Sequence, residues 1–500
     1  MKKFINKFVL AAVAAAALTG TTACTDSFEE INTDPDGAQV VPADNQLAWV
    51  LYYTSYRFYD RWFMLDEPCT FAGYVSKAAY IDESKYMFRA GVQDTNWEYL
   101  YRILNNIRTI QAQMPETSNA AYISNIMEAH IMQIATDRWR DVPYSNACKM
   151  GEGYLTPTYD KQEDIYPALL ALLKKTADNM ANNPGADDVS GGDIMFGGDM
   201  DLWQRYCNSL RLRMAIRISE VSSSLAKSTV EEILTNPSQY PIMEDNSQNA
   251  MFHWLSTNSS YYEPIGDAYR TRKSEFCAPD IMVDYMNDTK DPRIGVYFAP
   301  TANSVKEGKK EYAGHGIGEA QGPANGIASV SVWGYKYGQD LGGVSPWMRS
   351  SEVMFCIAEA KHLGWNVGNY AESVEDAYNQ AVMLSMDENG VSEAEAEAYL
   401  AGKGKFDGTI DQVWYEEWVA MFKQGMEGWS LYRRTGVPKT NHIANGRAAK
   451  YKDHNVPPFR SPYPDTERNL NGSNNAPFGA NVKDDFWGQQ MWWDTRVGVY

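Results

Sequence analysis

Apolar residues recur at helical spacing over most of this chain, and most strongly across residues 410–436. There Ile410, Trp414, Trp418, Met421, Phe422, Gly425 and Trp429 follow at steps of three or four, with one adjacent pair, on one face of an α-helix. So aromatic a face needs a large partner surface. The same spacing sets Glu416, Glu417 and Lys423 on or beside the wet side, and Gly436 and Pro438 end the helix. Arg433 and Arg434, at its end, are expected to pair with carboxylates of the fold, with an exposed position as the alternative. Further helices are predicted over 46–65, along the face Trp97, Leu100, Tyr101, Leu104, Ile107 and Ile110, and over 122–139, 162–180 and 202–221. A later pair covers 350–363 and 373–386. On the 202–221 helix, Arg205, Arg211, Arg213 and Arg217 fall outside the apolar face. The helices pair through short or moderate links, as in a helix-turn-helix solenoid, although no strict sequence period is present. Residues 236–346 break the pattern, being rich in Gly, Asn, Ser and Pro and dotted with aromatics. Irregular segments on a rigid scaffold are where binding groups usually sit.

The first residues read as a targeting segment rather than as fold. Lys2, Lys3 and Lys7 precede an apolar run, FVLAAVAAAAL at 8–18, that is too short to span a membrane. LTGTTAC follows and ends in Cys24, the arrangement of a bacterial lipobox, with Thr21 where Leu is usual. Residues 1–23 are therefore expected to be a signal peptide and Cys24 the lipidated N-terminus; ordinary secretion with cleavage near Ala23 is the alternative. Residues 24–44 form an acidic, turn-rich tether, and 45–500 a single domain. Asn32, Asp34 and Asp36 offer calcium ligands, though the turn at Pro35 and Gly37 explains them as well.

A formal charge of −19 argues against nucleic acid as a partner and against a basic membrane-binding surface. Five cysteines remain beyond Cys24: Cys69, Cys148, Cys207, Cys277 and Cys356. Their odd number and wide spacing, without C-x-x-C, fit buried thiols rather than disulfides or zinc. No catalytic motif stands out: the chain has no H-E-x-x-H, no G-x-S-x-G and no P-loop. His130, His253, His315, His362, His442 and His454 show no metal-ligand spacing. A hidden glycosidase would need two carboxylates brought together by folding.

Several ordered stretches resemble the SusD/RagB family of outer-membrane nutrient-binding lipoproteins, in its SusD-like branch. They are DRWRDVPYSNA at 137–147, with Arg140 for the usual Gly, TPTYDKQEDIYPALLALL at 156–173 and GGDIMFGGDMDLWQRYCNSLRLRMAIRIS at 191–219. DPRIGVYF at 291–298, MRSSEVMFCIAEAKHLGW at 348–365, GWSLYRRTGVP, RSPYPDTERNLN at 460–471 and the terminal WWD at 492–494 continue the likeness. The acidic residues behind Cys24 resemble surface-export signals of Bacteroidetes lipoproteins. The resemblance implies a mainly α fold, a scaffold of tetratricopeptide-like helix pairs with loop-rich inserts on one side. It implies attachment to the outer membrane, facing outwards, with no enzymatic activity and no cofactor. The implied partner is a SusC-like TonB-dependent transporter, which receives oligosaccharides, or peptides in the RagB line. A structural lid with little ligand contact of its own is a further reading.

A sugar ring presents apolar C–H faces and a rim of hydroxyls, so its site needs aromatic platforms beside polar side chains. Three clusters qualify. Tyr52, Tyr53, Tyr56, Tyr59, Trp62 and Phe63 lie among Arg57, Asp60 and Arg61, with Tyr74, Tyr80 and Tyr86 as a possible wall. Trp254, Tyr261 and Tyr262 sit in HWLSTNSSYYEPIGDAYRTR at 253–272. Trp333, Tyr335, Tyr337 and Trp347 stand among glycines. The second and third clusters are expected to converge on one exposed surface. Trp487, Trp492 and Trp493 are read as packing, and Asp141 and Arg211 as partners of buried polar groups.

Overall fold

In the computed structural model, which describes residues 41–272, 275–319, 322–323, 325–439, 453–479 and 486–500, the helical periods become helices. They are α1 (Ala43–Phe58), α2 (Ala90–Gln113), α3 (Asn119–Trp139), α4 (Gln162–Asn182), α5 (Met200–Arg217) and α6 (Ser223–Thr235). The irregular segment contributes the short α7 (Pro264–Arg272) and α8 (Asp280–Thr289). After it come α9 (Ser350–His362), α10 (Val374–Glu388), α11 (Glu393–Ala401), α12 (Ile410–Ala420) and α13 (Gly425–Thr435). Local chemistry starts several of them. Ser118 caps α3 by accepting from Ala121 N at 3.2 Å, Asp199 caps α5, and Thr409 caps α12. Each helix from α1 to α6 packs on the next, α9 packs on both α10 and α12, and α5 against α9 joins the two runs. This is the mainly α, paired-helix scaffold the sequence implied.

Short strands β1 (Ser76–Lys77), β2 (Val142–Pro143), β3 (Tyr159–Asp160), β4 (Ala250–His253), β5 (Phe276–Cys277) and β6 (Val344–Met348) form antiparallel ribbons, β1 with β5, β2 with β3 and β4 with β6. Two of these position the site. The β4–β6 ribbon, with Phe252 opposite Ser345, closes the irregular segment at both ends. The β1–β5 ribbon ties it to the chain behind α1.

The 410–436 stretch is two helices, not one. Lys423 adopts φ +75° between them. A Cβ on Gly425 would lie 2.6 Å from the Cys69 amide nitrogen, and one on Gly428 would lie 2.4 Å from the Tyr74 hydroxyl. Both glycines let α13 approach the segment after α1 more closely than any side chain allows. The expected wet side is also buried. Glu416 accepts from Arg293 Nη2 at 2.5 Å and from Tyr399 Oη at 2.5 Å. Glu417 is buried, and burial pushes its carboxyl up to about 8. Lys423 Nζ lies 3.1 Å from Glu263 Oε1. Arg434 pairs with Glu359, as expected of it. Arg433 does not pair with a carboxylate side chain; it donates to the carbonyls of Asp137 and Phe459 and lies 3.7 Å over Trp429.

The arginines of α5 are a second correction. Arg211, Arg213 and Arg217 are buried, while Arg205 stays partly exposed. Arg213 grips Glu352 with two bonds of 2.5 and 2.8 Å, Arg217 meets Asp137 at 2.5 Å and also Glu427, and Arg211 holds Glu232 at 2.7 Å. The expected partner role of Arg211 thus holds, as does that of Asp141, which accepts from Gln162 N at 2.8 Å. Trp487 and Trp493 pack in the core.

Cys69, Cys207, Cys277 and Cys356 are buried free thiols and Cys148 is half-buried. No helix among the described residues is long and apolar enough to cross a membrane. Residues Ala43–Tyr500 form one contact unit. Residues 1–23, read from sequence as a signal peptide, lie outside the described residues, as do Cys24, the candidate calcium ligands and His442.

Candidate functional site

Helix α1 ends at a π-helical turn, Arg61–Leu65, which projects Trp62. Asp60 caps that turn, its Oδ1 accepting from Phe63 N at 2.7 Å. Arg61 is fixed from below. Its Nε donates to Asp66 at 2.9 Å and its Nη2 to Glu275. Lys77 completes the cluster, 3.1 Å from Asp66, 2.8 Å from Glu83 and 3.3 Å from Glu275. Burial opposes the Lys77 charge, but Asp66, Glu83 and Glu275 outweigh it and hold the ammonium above its usual range. The Arg61 guanidinium then lies 4.4 Å over Trp62, fixing the ring from one side.

The facing wall is the segment from Asn258 into α7. Asn258 Oδ1 accepts from Ser260 N at 3.0 Å and sets the turn. Glu263, fully buried, accepts from Gly266 N at 2.5 Å and pairs with Lys423 across the molecule. This anchor explains why a Ser- and Asn-rich loop keeps a defined shape. Tyr52 of α1 links the walls by donating to Ser260 O at 2.9 Å.

Between the walls lies a cleft of about 240 Å³, bounded by Tyr56, Asp60, Trp62, Tyr262, Asp267 and Arg272, with Ser259 and Ser260 at its edge. Three rings, two carboxylates, the Arg272 guanidinium and two serine hydroxyls therefore converge. Burial pushes the Asp60 carboxyl up to about 7, so near neutrality it both donates and accepts. Arg270 holds Asp267 at 2.6 Å, leaving its other oxygen for a ligand. The arrangement suits a molecule with apolar faces and a polar rim.

Of the rings singled out from sequence, Tyr56, Trp62 and Tyr262 line this cleft. Tyr261 is 44% exposed beside it, edge-on to Tyr52 at 5.9 Å. Tyr80 and Tyr335 are exposed but do not line the cleft. Four candidates are core rather than surface. Trp333 is fully buried, its Nε1 donating to Tyr74 O at 2.9 Å and its ring 4.7 Å from Phe422. Trp347 bonds Ser55 Oγ at 3.2 Å and stacks on His130. Tyr59 is buried parallel to Trp347. Trp254 is 4% exposed because it extends the β4–β6 ribbon, its Nε1 on Ser345 Oγ at 2.9 Å. Tyr74, Tyr86 and Tyr337 are buried as well. The expected convergence of the second and third clusters on an exposed surface therefore fails. The second cluster instead meets the end of α1. Asp267 and Arg272 carried no periodic signal and were legible only as polar neighbours of Tyr262.

Among the described residues no group of three or more His, Cys, Asp or Glu is arranged to hold a metal.

The model of a SusD-like family, described as "Starch-binding associating with outer membrane", matches residues 43–464. No curated protein matches the chain significantly. Solved structures match its fold. A chitin-binding protein superposes with a TM-score of 0.78 at 24% identity, covering 91% of this chain and 100% of that one. A SusD-like protein from Bacteroides thetaiotaomicron gives 0.77 at 23% identity over 92% of this chain and 100% of that one. A chitin-binding SusD homolog from Flavobacterium johnsoniae gives 0.74 at 22% identity over 91% and 98%.

Proposed function

The chain belongs to the SusD-like family, and from that premise we propose that it captures oligosaccharides at the outer membrane surface and passes them to a SusC-like TonB-dependent transporter. Members of the family bind carbohydrate and are not catalysts. The observation that carries the reading is the cleft at the end of α1, where Trp62 and Tyr262 stand beside Asp60, Asp267 and Arg272. Rings take the C–H faces of a sugar and the polar groups take its hydroxyls. The chitin-binding descriptions of two structural neighbours make N-acetylglucosamine oligomers the first ligands to test, with malto-oligosaccharides second. The lipid anchor at Cys24 belongs to the same proposal.

Calorimetric titration of both oligosaccharide series, with a peptide panel alongside, tests it. One series should bind and remain chemically intact, and Trp62→Ala and Tyr262→Ala should each weaken it several-fold, as expected for a site with few anchors. Binding confined to peptides, or saccharide binding unaffected by either substitution, would move the site or the ligand class.

A further inference from the structure

The cleft uses one end of a longer aromatic stripe. Trp49, Tyr53 and Tyr56 follow on α1 at steps of four and three, so they share one face, and all are partly exposed. Their ring centroids are 4.4 and 6.4 Å apart in turn, and Tyr53 stacks on Tyr99 of α2 at 5.7 Å. Arg57 lies across the middle, its guanidinium 3.9 Å over Tyr99 and 5.1 Å over Tyr56. Its Nε is shielded from solvent and has no hydrogen-bond acceptor.

The far end of the stripe opens into a second and larger cleft. Trp49 lines it together with Trp97, Tyr101 and Tyr154, and Asn105 and Asn106 add amide groups. Its volume is about 690 Å³, within the range of ligand sites and nearly three times that of the first cleft. Tyr154 is an exposed ring on the loop after β2. The floor carries Glu467, whose Oε1 accepts from Tyr159 Oη at 3.1 Å and from Asn471 Nδ2 at 2.6 Å. Like the smaller cleft, the larger one sets rings beside polar side chains, here amides and a carboxylate in place of hydroxyls and carboxylates. From Trp49 to Tyr56 the helix rises only about 10 Å, so one chain molecule spans the distance.

We propose that the two clefts and the Trp49–Tyr53–Tyr56 stripe between them form one extended saccharide-binding surface, with the larger cleft as a distal subsite. The protein would then select long chains over short ones. This inference rests on the saccharide reading of the first cleft.

The test titrates chitobiose, chitohexaose, maltose and maltohexaose into wild type, Trp49→Ala, Tyr154→Ala and Trp62→Ala. In the series that binds, the hexasaccharide should bind at least tenfold more tightly than the disaccharide. Trp49→Ala and Tyr154→Ala should each remove most of that gain and leave the disaccharide unchanged, whereas Trp62→Ala should weaken both. Tyr154 stands on an exposed loop, so its substitution reads the subsite even if Trp49→Ala perturbs folding. Equal affinity for the two lengths, or hexasaccharide binding unaffected by Tyr154→Ala, would overturn the distal subsite and leave the first cleft standing. No binding by any of the four sugars would overturn both.

Discussion

Replacing Trp333 by Ala separates a core ring from a ligand platform. The substitution removes an indole packed on Phe422 at 4.7 Å and on Tyr269 at 6.0 Å. It also strips the Tyr74 carbonyl of its 2.9 Å donor inside the core. Truncating a buried Trp costs roughly 3–5 kcal/mol, and the orphaned carbonyl adds about 1 kcal/mol or more. Unfolding entropy near 2.1 cal/mol/K per residue, over the roughly 460 residues from Ala43 on, makes about 1 kcal/mol worth about 1 °C. The melting temperature of Trp333→Ala should therefore fall by about 4–6 °C. Its dissociation constant, measured well below the melt, should stay within about twofold of wild type, as the ring lines neither of the two clefts. Trp62→Ala should do the reverse, binding several-fold more weakly with a melt within about 1 °C of wild type, because Trp62 is partly exposed. Differential scanning calorimetry and isothermal titration on both variants read the two quantities. If Trp333→Ala melts like wild type and loses binding, the ring is at the ligand and its placement here is wrong.

Other outcomes follow from the same geometry. Lys423→Met leaves Glu263 buried without its cation and should cost roughly 3–5 kcal/mol in denaturant unfolding, with Lys423→Met/Glu263→Gln recovering part of the loss; additive losses would refute the pairing. Burial raises the Glu417 carboxyl from 4.5 to about 8. The folded state therefore keeps a proton that the unfolded chain releases, and stability is fullest below pH 4.5 and falls as pH rises through 8. Glu417→Gln should flatten that fall and be the more stable protein at pH 9, whereas parallel wild-type and variant profiles would show that Glu417 ionises normally. Cys24→Ser should release the protein from the membrane fraction in cells lacking the transporter, since stable anchoring requires more than one acyl chain at that residue; a variant that stays bound is anchored by something else.

The helices were legible because their apolar faces repeat at 3.6 residues, and that period survives in the packed scaffold. The break at Lys423 was hidden by the same signal, as Met421, Phe422 and Gly425 continue the spacing through the turn, after which Gly425 and Gly428 lie against Cys69 and Tyr74. The buried charges were illegible for a physical reason. Arg213, Arg217, Glu416 and Lys423 read as wet one at a time, and only the fold brings Glu352, Asp137, Arg293 and Glu263 to them. The aromatic loops failed in the opposite direction. Trp254 and Trp333 lie among polar and glycine residues, yet the β4–β6 ribbon and Phe422 cover them. Trp62 and Tyr262 were both candidates from sequence, but they stand two hundred positions apart and only the tertiary fold sets them across one cleft.

The central claim is that this cleft holds a sugar. A crystal structure of the protein with the tightest-binding oligosaccharide tests it most directly. The account predicts a sugar ring stacked on Trp62 or Tyr262, with hydroxyls bonded to Asp60, Asp267 or Arg272. A saccharide seated elsewhere on the molecule, with this cleft left to solvent, would contradict it.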